Sequence, residues 1–421
     1  MPDMTTSGAA TQATPPRPFN EARPVTALPR ALRMMLSLED FEAAARRRLP
    51  RPVFGYVSGG VEDNIALRGN RSAFDEIALL PRTLVNVAGR SAKTTLFGQT
   101  YDLPFGLAPM GGTSLAAYQG DLVFARTAAE ANIPMIQSGA SLMRLEDVRA
   151  AGRTAWFQAY LPGEEGAITT LVERVTRAGF ETLVLTVDVP VQANRENNVR
   201  NGYDAPLRPT PRMAWDCLAR PRWLCGMFLR TLLTQGMPHY ENMGPRTPLM
   251  SRTAIRERAR RDHLNWEHVA LMRRLWQGRL VLKGILDVAD ARLAREYGID
   301  GIVVSNHGGR QLDGVVSPLR VLPAIAAEAG GMAVMIDSGF RRGTDILKAL
   351  ALGAQFVFVG RPFLYATAVA GAPGLHHAIR LLRDELSRDM AMLGITTLAE
   401  MTRERLLPAQ GAAFLAGNGH R

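Results

Sequence analysis

Gly301-Ile-Val-Val-Ser-Asn-His-Gly-Gly-Arg-Gln-Leu-Asp-Gly314 is the stretch on which the reading of this chain turns. Its first four residues form a short apolar, β-branched run, the pattern of a parallel strand buried on both faces. The run stops at Ser305-Asn306-His307, and two glycines and Arg310 follow. Gly308 and Gly309 supply left-handed freedom and let the main chain approach a ligand closely. His307 and Arg310, three residues apart, can face one bound anion. Taken alone, the stretch also fits a polar turn with a surface histidine. The other strands decide between the two.

Short apolar runs recur at 104–108, 133–136, 155–160, 182–187, 280–283, 301–304, 332–336 and 355–358, each followed by a helix-like amphipathic segment. Eight such units predict an α/β fold, a closed (β/α)8 TIM barrel, over an open doubly wound sheet. No GxGxxG follows the first run, which leaves a dinucleotide-binding half-sheet without support. Barrel active sites are built where the strands end. There the sequence places Pro109, Met110 and Gly111; Ser138 and Ala140; Gln158 and Tyr160; Thr186 and Asp188; Lys283; Ser305 and His307; Asp337, Gly339 and Arg341; and Gly360 with Arg361. Every strand delivers polar groups to one rim, which favours the functional histidine.

The flanking segments are read from composition. Residues 1–30, rich in Pro, Thr and Ala, are expected to be a disordered tail. The barrel unit is expected over 31–401, with 402–421 as a C-terminal tail. Ser37-Leu-Glu-Asp40 reads as a capping box opening a helix through Arg48. It begins an N-terminal helical and extended cap that carries Tyr56 beside a small-residue turn. Ile77–Leu84 and Thr94–Tyr101 look like a short antiparallel pair. After strand four a detour over 197–263 is too long for a connector.

The net charge of +11 is concentrated in that detour: Ala205–Asp262 holds eleven Arg against four acidic residues. So local a patch points to an anionic surface, and no nucleic-acid-binding signature accompanies it. Trp215, Trp223, Phe228 and several Leu and Met residues lie in the same segment. That mixture suits an interfacial membrane contact. Pro221 and Gly226 argue against one long helix there. A lid or a subunit contact is the competing use. The uncharged stretches Leu103–Gly120 and Pro362–Ile379 contain Gly, Pro and polar residues, so neither reads as a membrane span. Cys217 and Cys225 fit no zinc or redox spacing and read as reduced thiols. No secretory signal is recognisable, so a cytoplasmic location is expected.

The rim chemistry is specific. Gly339 and Gly360 expose main-chain N–H groups near helix starts, and Arg341 and Arg361 supply charge, where barrels commonly bind phosphate. Lys283 at a strand end needs an anion or an electron-rich ligand; a Schiff-base lysine is the alternative. Asp188 is the natural partner to orient His307 as a base. Arg310 and Arg195 can grip a carboxylate, with Tyr56 and Tyr160 adding hydroxyl hydrogen bonds. No metal-ligand cluster stands out.

These motifs resemble the FMN-dependent 2-hydroxy-acid dehydrogenases and oxidases, whose signature Ser-Asn-His-Gly-Gly-Arg-Gln-Leu-Asp stands unchanged at 305–313. The resemblance covers Ser37 to Met401 and includes Trp156-Phe-Gln-Ala-Tyr160, Leu185-Thr-Val-Asp188, Val281-Leu-Lys-Gly284, Asp337-Ser-Gly-Phe-Arg-Arg-Gly-Thr-Asp345 and Val359-Gly-Arg-Pro362. It implies an FMN enzyme in which His307, backed by Asp188, takes a substrate proton. By the same resemblance Tyr56, Tyr160, Arg195 and Arg310 hold the hydroxy acid, and Lys283, Ser138, Gln158 and Thr186 contact the flavin ring. Ser305, Pro109 and Met110 belong to the flavin set, and Asp337, Gly339, Arg341, Gly360 and Arg361 to its ribityl phosphate end. The chain looks most like the membrane-associated bacterial L-lactate and mandelate dehydrogenases, which carry an insertion in the same place. That likeness implies a quinone or other electron acceptor, contact with the inner face of the cell membrane through 205–262, and a homo-oligomer, tetrameric by analogy. The Pro-rich tail is not typical of these relatives. Gly111 and Ala140 replace Ala and Trp of the plant glycolate oxidases, which implies a roomier substrate pocket. An O₂-using oxidase, a flavin-dependent isomerase of a phosphorylated substrate, and a non-catalytic docking barrel are the alternative readings.

Overall fold

The computed structural model describes residues 28–203, 210–249 and 261–409. The expected N-terminal tail up to residue 27, the C-terminal segment from residue 410, and residues 204–209 and 250–260 of the basic insertion lie outside these. Eight parallel strands close into a barrel: β1 (Phe105–Leu107), β2 (Met135–Ser138), β3 (Ala155–Tyr160), β4 (Thr182–Thr186), β5 (Arg279–Ile285), β6 (Gly301–Val304), β7 (Ala333–Ile336) and β8 (Phe356–Val359), with β8 pairing back onto β1. The second strand starts two residues later than its apolar run. Pro134 cannot donate to the ladder, although its carbonyl still accepts from the Leu107 amide at 3.0 Å.

Side chains alternate across each strand, and both faces are buried. One set packs inside the barrel, where Ile136, Trp156, Val184, Val281, Val303, Met335 and Phe358 form a cluster floored by Leu96 and Phe97. The other set, including Phe157, Leu183, Leu282, Val304, Ile336 and Val357, packs against the helices. The two-residue period explains the rim. Two positions beyond the interior Ile136, Trp156, Val184, Val281, Val303, Met335 and Phe358 stand Ser138, Gln158, Thr186, Lys283, Ser305, Asp337 and Gly360. Functional groups thus inherit the inward direction of the core residue below them.

The N-terminal cap lies over that rim. Helix Arg51–Ser58 starts with Pro52 in its first turn and carries Tyr56. Helix Ile65–Asp75 is capped from a distance: its Ile65 and Ala66 amides donate to the Asp313 carboxylate at 3.2 and 2.8 Å. The last residue of the central motif therefore anchors the cap. Ser37 opens the first helix differently from a capping box. Asp40 Oδ2 accepts from the Ser37 amide and hydroxyl at 2.8 and 3.1 Å, and the helix runs Asp40–Arg48.

Two further expectations need correction. Ile77–Leu79 pairs antiparallel with Leu406–Pro408, while Thr94–Leu96 forms a separate hairpin with Gln99–Tyr101. The chain beyond residue 402 is therefore in part a strand that closes on the cap. In the insertion, Gly226 does not break the helix. Continuous helix runs from Pro221 to Gln235, with a π turn over Leu224–Leu229 absorbing the irregularity. Trp223, Met227 and Thr231, four residues apart, form its buried face. The Trp223 indole N–H donates to the Leu115 carbonyl at 2.8 Å and ties this helix to the short helix Thr113–Ala116 that follows β1.

Candidate active site

The central motif distributes its side chains between structure and chemistry. Asn306 and Asn70 exchange amide hydrogen bonds at 2.9 and 2.7 Å in the interior and lock the cap to the β6 loop. Gln311 accepts from the Arg195 guanidinium and donates to the Asp188 carbonyl at 3.3 Å. His307 lies at φ 58°, a conformation that costs energy for any residue with a side chain, followed by Gly308 and Gly309 at φ 69° and 70°. The bend swings the imidazole toward β4, where Nδ1 lies 2.9 Å from Asp188 Oδ1. Gly284 at φ 113° makes room for this: a Cβ there would lie 2.6 Å from the Asp188 Cβ.

Burial holds the His307 imidazole below its usual value, with Lys283 and Arg195 acting the same way and Asp188 opposing. The imidazole is therefore neutral near pH 7. Burial would raise the Asp188 carboxyl, but His307 and Lys283 outweigh it and keep the group ionised. An ionised Asp188 requires Nδ1 to donate, which leaves the lone pair on Nε2.

Lys283 is buried at the end of the interior row. Burial favours its neutral form, and Asp337 at 3.1 Å together with Asp188 reverses that, so the ammonium persists. Its Nζ also donates to Ser305 Oγ at 2.8 Å, and that oxygen accepts from the His307 amide at 3.0 Å. Ser138 Oγ donates to Gln158 Oε1 at 3.1 Å and accepts from the Ala140 amide at 3.2 Å.

A cavity of about 990 Å³, counting the part open to solvent, occupies the barrel mouth. Seventeen of the twenty site residues expected from sequence line it. Asp188, Ser138 and Ser305 stand one layer behind, holding His307, Gln158 and Lys283 in place. At one end the guanidinium groups of Arg310 and Arg361 donate to the Gly59 carbonyl, Arg361 also to Val57 at 3.0 Å and Gly308 at 2.9 Å, and Arg341 to Phe340 at 2.9 Å. Among the described residues, none of these three pairs with a carboxylate. Burial, with Arg195 and Arg361 nearby, pulls the Arg310 guanidinium down to about 9. Such a cluster is short of anions.

Gln158 Nε2 and Thr186 Oγ1 are buried in the wall with no partner among the described residues. Buried polar atoms are nearly always paired, so two orphans facing one cavity mark where a ligand belongs. Sequence reading passed over Asn70, Gln311, Ser338 and Asp313. Ser338 lies at φ 81° and bridges Asp337 to the Gly308 amide. Gln311 and Asp313 stand inside the 305–313 motif and Ser338 inside the 337–345 motif, which was their one signal, whereas nothing in the residue order around Asn70 announced it.

Fold and site together define a barrel enzyme that gathers cations around a half-buried, neutral base. The pattern described as FMN-dependent dehydrogenase matches residues 45–408. The L-lactate dehydrogenase of Pseudomonas entomophila is 39 % identical over 380 residues, 89 % of this chain and 98 % of that protein. The L-lactate dehydrogenase of Pectobacterium atrosepticum is 38 % identical over 377 residues, 87 % of this chain and 96 % of that protein. Among solved structures, the monotopic membrane protein (S)-mandelate dehydrogenase superposes with a TM-score of 0.83 at 35 % identity, covering 89 % of this chain and 99 % of that one. The chain belongs to the FMN-dependent dehydrogenase family, and it is an oxidoreductase.

Proposed function

We propose that the protein oxidises an L-2-hydroxy acid of the lactate or mandelate kind to the 2-oxo acid and passes the electrons to a quinone or another carrier. The observation that carries this reading is the neutral, Asp188-oriented His307 beside cations that have no carboxylate partner. The residues fit FMN: the orphaned Gln158 Nε2 and Thr186 Oγ1, with Lys283 Nζ, would hold the polar edge of the ring. Arg341, Arg361 and the Gly339 and Gly360 amides would hold the phosphate. FMN, when bound, supplies a two-electron acceptor.

The protein's part is positioning and proton transfer. Arg310 and Arg195 give the substrate carboxylate a bidentate partner, and the Tyr56 and Tyr160 hydroxyls orient it. His307 Nε2 takes a proton that the hydroxy acid releases, and Asp188 stabilises the resulting imidazolium. Lys283, itself buried, keeps a fixed positive charge where negative charge grows. A phosphorylated-substrate isomerase has no use for this second, carboxylate-sized cationic pair beside the base.

The outer part of the insertion supports a membrane contact. Trp215, Leu218 and Leu233 are 71, 61 and 86 % exposed, and Arg212, Arg222 and Arg230 stand exposed among them. No helix among the described residues is long and apolar enough to cross a membrane. Apolar side chains interspersed with arginine fit the surface of an anionic leaflet instead. The reading extends to the inner face of the cell membrane and to a homotetramer, in which several insertions would share one surface.

Gly111 sets the pocket's width. A Cβ there would lie 3.2 Å from both the Ala140 Cβ and the Tyr56 hydroxyl, tighter than ordinary contact.

Purified protein is expected to be yellow and to bleach under anaerobic addition of L-lactate or L-mandelate. His307→Gln is expected to stay yellow and to bleach at least a hundredfold more slowly, in keeping with the usual size of general-base effects, roughly 10²–10⁴. A colourless protein, or an undiminished rate in the variant, would refute the assignment. Gly111→Ala should slow reduction by mandelate more than by lactate; equal slowing would remove the pocket argument. The triple variant W215S/L218S/L233S should no longer sediment with phosphatidylglycerol vesicles that retain the parent protein, while dye-coupled turnover persists. Equal sedimentation of both would exclude these side chains as the anchor.

A further inference from the structure

The two ends of the insertion rest on the two tyrosines of the substrate site. At the outgoing end, the Tyr203 ring stacks on Tyr56, with centroids 4.5 Å apart and planes inclined by 28°. At the returning end, the Arg261 guanidinium carbon sits 4.6 Å from the centre of the Tyr160 ring. The outgoing end is also wedged against the cap helix that carries Tyr56. A Cβ added to Gly55 would lie 2.6 Å from the Asn201 side chain, and one added to Gly59 would lie 2.3 Å from Asn197 Nδ2. The Glu62 amide donates to the Asn194 carbonyl at 3.3 Å on the same face.

Tyr203 and Arg261 both line a second cavity, about 1790 Å³ counting its open part, which adjoins the first. The two cavities share Tyr56, Ala140, Tyr160 and Arg195, so they meet at the two tyrosines. The mechanism above uses Tyr56 and Tyr160 but assigns nothing to the residues that hold their rings.

We propose that Tyr203 and Arg261 are positioning residues for the hydroxy acid: the insertion roofs the substrate site and fixes both phenols through an aromatic stack on one and a cation over the other. The proposal rests on the assignment of Tyr56 and Tyr160 to substrate binding. A stacked ring restricts the rotation of Tyr56 about its side-chain bonds, so its hydroxyl is already aimed when substrate arrives. A guanidinium over the Tyr160 face withdraws electron density and makes that hydroxyl a better donor to a carboxylate. Burial pushes the Tyr160 phenol up, and Arg261 and Arg195 act in the opposite direction. Both effects act on binding. Neither residue touches the proton that His307 takes.

The test is anaerobic stopped-flow reduction of the holoenzyme's FMN by L-lactate or L-mandelate, which separates the substrate dissociation constant from the limiting rate. Single aromatic-pair and cation–π interactions correspond to roughly three- to tenfold in a binding constant. Y203A and R261M are each expected to weaken substrate binding by about that factor, with limiting rate and FMN content close to the parent's. Y203F, which keeps the stack, and R261K, which keeps the cation, are expected to restore binding. An unchanged dissociation constant in both Y203A and R261M overturns the proposal. So does a loss that falls on the limiting rate or on FMN content alone, or one that Y203F and R261K share. If no hydroxy acid reduces the parent enzyme, the functional reading fails and takes this inference with it; if the parent is reduced and the variants match it, only the inference fails.

Discussion

Unbalanced positive charge at the barrel mouth is the constraint to which the rest of the structure answers. Arg195, Lys283, Arg310, Arg341 and Arg361 line one cavity, and among the described residues Asp188 and Asp337 are the carboxylates that stand against them, a surplus of three. Asp337 is committed to Lys283 and Asp188 to His307. The arginines fall back on main-chain carbonyls, which satisfy donors without neutralising charge. A phosphate carrying about two negative charges and one substrate carboxylate would cancel the surplus. On the proposed assignment, the cofactor's phosphate and the substrate's carboxylate are the anions that balance the site.

Holding this charge in place requires a rigid frame. The strands provide it through their two-residue period: a side chain that follows a packed interior residue has its direction decided by the core below. The loops after β6 and β7 add bends that strands cannot make, and the left-handed His307 and Ser338 mark where the fold accepts strain to aim a group. The cap then closes over the rim. Its helix Ile65–Asp75 is tied to the central motif through Asp313 and the Asn70–Asn306 pair, and Arg310 of the same motif donates to the Gly59 carbonyl at the end of the helix that carries Tyr56.

Much of this could be read from residue order. Each strand's apolar run and the polar group at its end are local in sequence, and local patterns survive folding. The partner of Ile77–Leu79 could not be read, because Leu406–Pro408 lies more than three hundred residues away and no short-range pattern announces the pairing. Gly226 misled for another reason: its helix is held by Trp223 and Met227 packing on the barrel, and tertiary burial outweighs the propensity cost of one glycine. Tyr203 and Arg261 were illegible because the insertion shares no period with the barrel, so nothing in its residue order points to the rings it covers. Ser138 and Ser305 were placed in the flavin set by resemblance; residue order did not show that their hydroxyls bond Gln158 and Lys283.

Charge balance makes a quantitative demand that can be met or missed. Apoprotein prepared by removing the flavin should be titrated with FMN and with riboflavin, which carries the same ring but no phosphate, following the quenching of flavin fluorescence. If Arg341 and Arg361, half-buried and without a carboxylate partner among the described residues, hold the phosphate as proposed, FMN binds at least about a hundredfold more tightly than riboflavin at low salt, on the scale of one or two charge-assisted hydrogen bonds. Equal affinities for the two flavins would contradict the account at its base.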